Sequence, residues 1–287
     1  MKSCSTGTFL SNTSFTHHFD PQSVAIISRG QFSAHFTFSA SGETYFAKCK
    51  KKGQDTFEKE ANGLKYLRNQ SEFLIPEVKE VVKNSAFSGI IMEYIHTDSF
   101  TPKVSEFFGQ FLAGLHLCKS SSFGWHEDNF IGDLPQVNNP SVHWVEFFVN
   151  FRIEPLFNKA AELGLLNPTD FRIWTRLQSR LMGLFPREKP SLIHGDLWSG
   201  NALCSHGQPA LIDPACYFGF REMDLAMMHL FGGFDKIVFD AYNDRYPLEK
   251  DWKERIDLCN IYPLLVHLIL FGRPYYPALI GAMKKYL

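Results

Sequence analysis

His194-Gly195-Asp196-Leu197-Trp198-Ser199-Gly200-Asn201, with Ile212-Asp213-Pro214 placing a second aspartate twelve residues beyond Asn201, is the stretch that decides how this chain is read. Transfer of a phosphoryl group to a hydroxyl needs a base for the hydroxyl proton and ligands that hold a divalent metal against the polyphosphate. An Asp, an Asn five positions on and a second Asp after a following strand supply both. In that spacing Asp196 stands as the base, Asn201 as one metal ligand and Asp213 as the other. Ser191-Leu192-Ile193 and Ala210-Leu211-Ile212 are short apolar runs, each ending at a polar residue, as expected of buried strands that deliver side chains to a site. His-Gly-Asp alone reads equally as a turn with Gly at a left-handed position. The whole constellation in its strand context points instead to a nucleotide site. Cys and His pairs at zinc-ligand spacing are absent, and so is a Walker A sequence.

Longer strings carry a family resemblance. Leu192 to Asn201, together with Ile212-Asp213-Pro214-Ala215-Cys216-Tyr217-Phe218-Gly219-Phe220-Arg221-Glu222-Met223-Asp224-Leu225-Ala226-Met227, resembles the fructosamine kinase (ketosamine kinase) family, in the aminoglycoside-phosphotransferase-like branch of the protein-kinase fold. Generic aminoglycoside and choline kinases share the His-Gly-Asp and the later Asp. Leu-Trp-Ser-Gly-Asn and Arg-Glu-x-Asp-Leu-Ala-Met are what resemble this family in particular. The likeness runs roughly from Tyr45 to Gly272, through Phe123-Gly124-Trp125, Asn129 to Gly132, Trp144 to Arg152, Leu230 to Gly233 and His267 to Gly272.

The resemblance implies an α+β, two-lobed protein-kinase-like fold with a small antiparallel-sheet N-lobe and a mainly helical C-lobe. It implies ATP and Mg²⁺ as cofactors and a ketosamine, fructosamine or ribulosamine, as acceptor, either small or protein-bound. By analogy the hydroxyl is on carbon 3, and the product is unstable enough to release the amine, a repair of glycated amines. His194, Arg221 and Asp224 match the family as supporting positions. Asp224, in the first turn of a helix beginning near Glu222, gains from the helix dipole and can brace the catalytic loop. Trp198 reads either as a sugar platform, since an indole face packs on sugar C–H groups, or as packing beneath the loop. Two rivals stay open: a kinase of the same fold acting on an aminoglycoside, amino alcohol or other metabolite, and a non-enzymatic pseudokinase that binds partners.

The 287 residues suffice for two lobes with real cores. A formal net charge of −1 leaves no excess of Lys or Arg for a phosphate backbone, so no nucleic-acid partner is expected. Six cysteines without CxxC pairs, and no apolar signal core between Met1 and Phe19, lead to a cytoplasmic expectation. Ile261 to Phe271 is about half the roughly 20 residues that a membrane span requires, so it reads as a buried helix and no membrane partner is expected. Oligomeric state is left open, with a monomer as the working expectation.

Residues 1–95 are expected to form the nucleotide-binding lobe and 96–287 the catalytic and substrate lobe. Val24, Ile26, Phe32, Phe36, Phe38, Tyr45 and Phe46 are strand formers punctuated by Gly30 and Gly42. Gly30, in Ser28-Arg29-Gly30-Gln31-Phe32-Ser33, sits where a phosphate-covering loop belongs, but the loop lacks the family's Gly-Gly and Asn; lid and plain turn both remain. Lys48 ends a strand where a kinase places the lysine of the α and β phosphates. Asp55 can cap the next helix, on which Phe57, Glu60, Leu64 and Leu67 recur at helical spacing, making Glu60 the expected partner of Lys48 with Glu58 as the alternative. Two further strands, Val78 to Val82 and Gly89 to Ile95, follow. Met92, Glu93, Tyr94 and Ile95 read as a hinge offering backbone groups to adenine, or as a core strand running into a linker. From Val104 the pattern turns helical, with Phe108, Leu112, Leu115 and His116 on a packed face. Further helices are expected from Trp144, over Phe171 to Phe185, and over Glu222 to Phe231.

Overall fold

Ala34, Phe36, Phe38 and Ala40 alternate with His35, Thr37 and Ser39, and successive side chains of a strand point to opposite faces. The four apolar residues are buried together on one face. A computed structural model describes residues 6–29, 33–51 and 56–287; Gly30, expected as lid or turn, and Asp55, expected as a helix cap, lie outside the described residues. Strands β1 (Phe19–Arg29), β2 (Ser33–Ala40), β3 (Glu43–Lys51), β4 (Val78–Lys83) and β5 (Phe87–Glu93) form an antiparallel sheet in the order β1-β2-β3-β5-β4. A short helix, Thr6–Leu10, closes the apolar face. Its Phe9 meets Phe36 and Phe87 edge-on at 6.0 and 5.5 Å. That contact explains why β5 begins at Phe87 and not at Gly89: Phe87 is needed in this core. The opposite face of the sheet carries His35 and Phe46 in line with Lys48.

The chain forms two compact units, Met1–Ser99 with Leu203–Asp213, and Phe100–Ala202 with Pro214–Leu287. A single cut at residue 95 therefore differs from the observed division, because a later hairpin returns to the first unit. Its strands are Ala202–Ser205 and Gln208–Leu211. Leu74 N–H donates to the Pro209 carbonyl and Leu211 N–H to the Leu74 carbonyl, both at 3.0 Å. Asp98 ties His96 to Ser99 to the same hairpin, through its N–H to the Cys204 carbonyl at 2.8 Å and its carboxylate to the His206 N–H at 2.6 Å.

The second unit is mainly helical. Thr101 caps the helix Pro102–Leu117, whose first position holds Pro, where no amide donor is needed. Trp144–Phe148 runs through a π-helical turn, Val149–Ile153, into Glu154–Glu162. That turn delivers Arg152 to the interior, where it donates to the Val137 and Phe151 carbonyls and Asn138 Oδ1 and stacks on Phe147 and Tyr217. The helix expected from Phe171 begins at Pro168, because Asn167 and Asp170 form a capping box, and stops at Gln178. The long apolar helix starts at Ile256, five residues before Ile261, and tolerates Pro263 in its interior. Among the described residues no helix is long and apolar enough to cross a membrane.

Candidate active site

In the first unit the centre is Lys48, only 5 % exposed at the middle of the sheet. Its Nζ donates to Glu60 Oε1 at 2.8 Å and also to Asp213 Oδ1. Glu60 takes this place because the period of Thr56–Gln70 turns it inward with Leu64 and Leu67, whereas Glu58 is exposed. Burial disfavours the ammonium, but the two carboxylates outweigh it and hold Lys48 protonated, its pKa above the ordinary value. Asp213 follows the Gln208–Leu211 strand with φ of 55°, in the left-handed region that a short polar residue tolerates. Across the ladder, His35 pairs in register with Lys48; burial first, then the Lys48 charge, hold its imidazole below its usual pKa.

Beside this cluster lies an apolar cavity walled by Ile27, Phe46, Met92, Leu203 and Ile212, with Glu93 to Ile95, Thr97 and Asp213 also lining it. Glu93 makes the last pair of β5, opposite Tyr45. Tyr94 and Ile95 therefore lie past the ladder, while Met92 and Ile95 give the cavity buried apolar surface. Met92, Glu93, Tyr94 and Ile95 all line this cavity.

In the second unit the strand Ser191–Ile193, paired with Tyr217–Gly219, delivers the His194–Asn201 turn. Gly195 has φ of +82°, and a Cβ there would fall 2.2 Å from the Ala215 carbonyl oxygen, so only Gly fits. Asp224, 1 % exposed, accepts from the backbone N–H of His194 at 2.7 Å and of Gly195 at 2.9 Å. The Asp196 N–H donates to His194 Nδ1 at 3.3 Å. Asn201 Nδ2 donates to the Asp196 carbonyl at 2.9 Å and to Asp196 Oδ2 at 3.2 Å, so the amide aims one carboxylate oxygen and leaves its own Oδ1 out of these bonds. The Asp196 carboxylate is half-buried. Trp198 is 42 % exposed, its ring lying over Gly200, so it is not packed beneath the loop.

Arg221 serves a different part of this unit. Its guanidinium bonds Glu188 with distances down to 2.7 Å, donates to the Tyr246 and Pro247 carbonyls, and stacks 3.7 Å from the Tyr246 ring. Sequence reasoning had no signal for Glu188 in that role. Nor did it identify His116 as more than a packed face residue. Buried His116 brings Nε2 to 3.2 Å from Asp224 Oδ2 and Nδ1 to 2.8 Å from the Tyr242 hydroxyl. Burial holds its pKa down and the ring neutral, so Nε2–H donates to the carboxylate and Nδ1 accepts from Tyr242.

A five-stranded antiparallel sheet with a buried lysine–glutamate pair in one unit, and a helical unit presenting the Asp196 turn, define a phosphotransferase of the protein-kinase-like class. The sequence model of the fructosamine kinase family matches residues 5–287. The chain belongs to that family. A probable ketoamine kinase of Enterococcus faecium is 35 % identical over 253 residues, covering 86 % of this chain and 88 % of the relative. One of Vibrio parahaemolyticus is 36 % identical over 254 residues, covering 87 % of each. A crystal structure from Thermobifida fusca, whose protein is assigned as a fructosamine-3-kinase, superposes with a TM-score of 0.88 at 34 % identity, covering 98 % of both chains. A thermostable mutant of the aminoglycoside phosphotransferase APH(4)-Ia, solved with AMP-PNP and hygromycin B, shares the fold at a TM-score of 0.68 and 17 % identity, covering 98 % of this chain and 96 % of that one.

Proposed function

We propose that this enzyme phosphorylates a hydroxyl of a ketosamine, a fructosamine or ribulosamine that is either small or protein-bound, using Mg-ATP. The observation that carries the reading is the Asp196 turn, aimed by Asn201 and braced by Asp224, in a chain of this family. The acceptor position is carbon 3, and the unstable product releases the amine, so the reaction repairs glycated amines.

The residues present suit both cofactors. The cavity beside Met92 to Ile95 has the apolar walls an adenine ring needs, and Asp213, which lines it, carries the Lys48 ammonium that phosphates require. Among the described residues no group of three or more His, Cys, Asp or Glu forms a self-sufficient metal cage. Mg²⁺ does not require one, since it keeps waters and phosphate oxygens and takes only one or two protein carboxylates. Asp213 would supply that carboxylate and Asn201 an amide oxygen. When bound, Mg-ATP supplies the transferable phosphoryl group and the charge that offsets its oxygens.

The chain's own residues do the rest. Asp196 orients the acceptor hydroxyl and takes its proton, with Asn201 fixing the carboxylate. Lys48, held by Glu60, positions the phosphates for in-line transfer. Trp198 offers its exposed indole face to the sugar, while His194 and Asp224 hold the turn and Arg221 locks the base of its helix to Glu188. Cys204, Cys216 and Cys259 are free thiols, in keeping with the cytoplasm. The test is ADP release over a panel of ketosamines, amino alcohols and aminoglycosides. Saturable turnover of a ketosamine supports the reading. Efficient phosphorylation of another acceptor alone, or ATP binding with no turnover of any, overturns it.

A further inference from the structure

A run of aromatic rings leads away from the Asp196 turn along the surface of the second unit. Trp198 meets Phe231, the last residue of the helix Glu222–Phe231, at 6.5 Å between centroids. Phe231 meets His267 at 4.7 Å. His267 and Phe271 stand four residues apart on one face of Ile256–Phe271 and touch at 5.3 Å. After the turn at Gly272, Tyr275 folds back against both, 5.0 Å from His267 and 6.2 Å from Phe271. Single exposed apolar residues need no explanation, but a contiguous run of this kind marks a binding surface. Its two ends are open, with Trp198 42 % and Phe271 63 % exposed. His267 adds a polar handle. Its Nδ1–H donates to the Pro263 carbonyl at 2.8 Å, and burial keeps the imidazole below its usual pKa, so the neutral ring presents a π face and leaves Nε2 as an acceptor.

We propose that Phe231, His267, Phe271 and Tyr275 form the subsite for the amine-bearing end of the acceptor, and that the enzyme favours ketosamines whose nitrogen carries an apolar or aromatic group. This rests on the acceptor reading above. An acceptor whose hydroxyl lies at Asp196 and whose sugar carbons lie on Trp198 projects its C1 nitrogen along the run that continues from that indole. A ketosamine nitrogen is a secondary amine, protonated at neutral pH, and a cation over aromatic faces is attracted to them, an effect worth about 2- to 30-fold in affinity. The substituent beyond it then covers the exposed Phe271 and Tyr275 rings, which a minimal amine cannot reach.

The experiment compares two ribulosamines that share the sugar and differ in the amine, the methylamine and the benzylamine conjugates, by ADP-release kinetics. The unaltered enzyme should show a KM for the benzylamine conjugate about 5- to 30-fold below that for the methylamine conjugate, because both nitrogens carry the same charge and only the phenyl group covers the Phe271 and Tyr275 rings. Phe271→Ala and Tyr275→Ala should shrink that ratio to within about twofold, and Phe271→Lys, which sets a like charge beside the nitrogen common to both conjugates, should in addition raise both KM values. Melting midpoints equal to that of the unaltered enzyme show that the variants are folded. Equal KM values for the two conjugates in the unaltered enzyme, or a ratio that survives both alanine variants, overturn the subsite while the acceptor reading stands. Absence of turnover with either conjugate retracts the acceptor reading and the subsite with it.

Discussion

Replacing Asp224 by Asn changes almost no volume and removes the carboxylate that braces the Asp196 turn from behind. The carboxylate accepts from His194 N–H, Gly195 N–H and His116 Nε2 in a site 1 % exposed. An amide offers a single oxygen, so it can keep one backbone donor and must turn its NH₂ toward the other. The kept bond loses its charge assistance, and one buried N–H is left unsatisfied; together these cost about 2–4 kcal/mol. All five tryptophans, Trp125, Trp144, Trp174, Trp198 and Trp252, belong to the second unit, so urea denaturation followed by tryptophan fluorescence reports on the unit that contains the change. The variant should lose that stability and also show a reduced kcat, because Asp196 is no longer fixed from behind. ATP should still raise its melting temperature, since the Lys48 cavity lies in the other unit. A loss below about 0.5 kcal/mol, typical of a surface change, with kcat intact, would refute the reasoning.

Asp196→Asn should fold normally and bind ATP but turn over about 10²- to 10⁴-fold more slowly, and near-normal kcat in a folded variant removes it from the base role. Lys48→Met and Glu60→Gln should be strongly non-additive, because each single change already breaks the 2.8 Å pair; strict additivity in kcat/KM would mean the two act separately. Asp213→Ala should lose the Mg²⁺-dependent part of the thermal stabilisation by ATP, and an unchanged shift rejects it as a ligand. His116, His229 and His267 are all held below the ordinary 6.5, in each case first by burial. Just below that pH the unfolded chain takes up protons that the fold refuses, so stability should fall as the solution is acidified below about pH 6.5. His116→Gln should flatten part of that slope, and identical slopes would exclude His116 as a contributor.

Features set by near neighbours in the chain were readable without coordinates. Asp196, Gly195 and Asn201 share one turn, and the kinase-like position of Lys48 together with helical spacing through Glu60 and Leu64 pointed to Glu60 as its partner, with Glu58 left as the alternative. The fold class followed from the same periodicities and from the family resemblance. What needed the tertiary structure were partners far apart in sequence. His116 reaches Asp224 across 108 residues, Arg221 reaches Glu188, and Leu74 recruits the hairpin ending at Leu211 into the first unit. No local pattern distinguishes a buried histidine that braces a carboxylate from one that only packs, nor an indole that stays exposed from one beneath its loop. Sequence periodicity specifies which face of an element is apolar. Which face it meets, and which polar atoms are left to pair once water is excluded, is decided only when the elements pack.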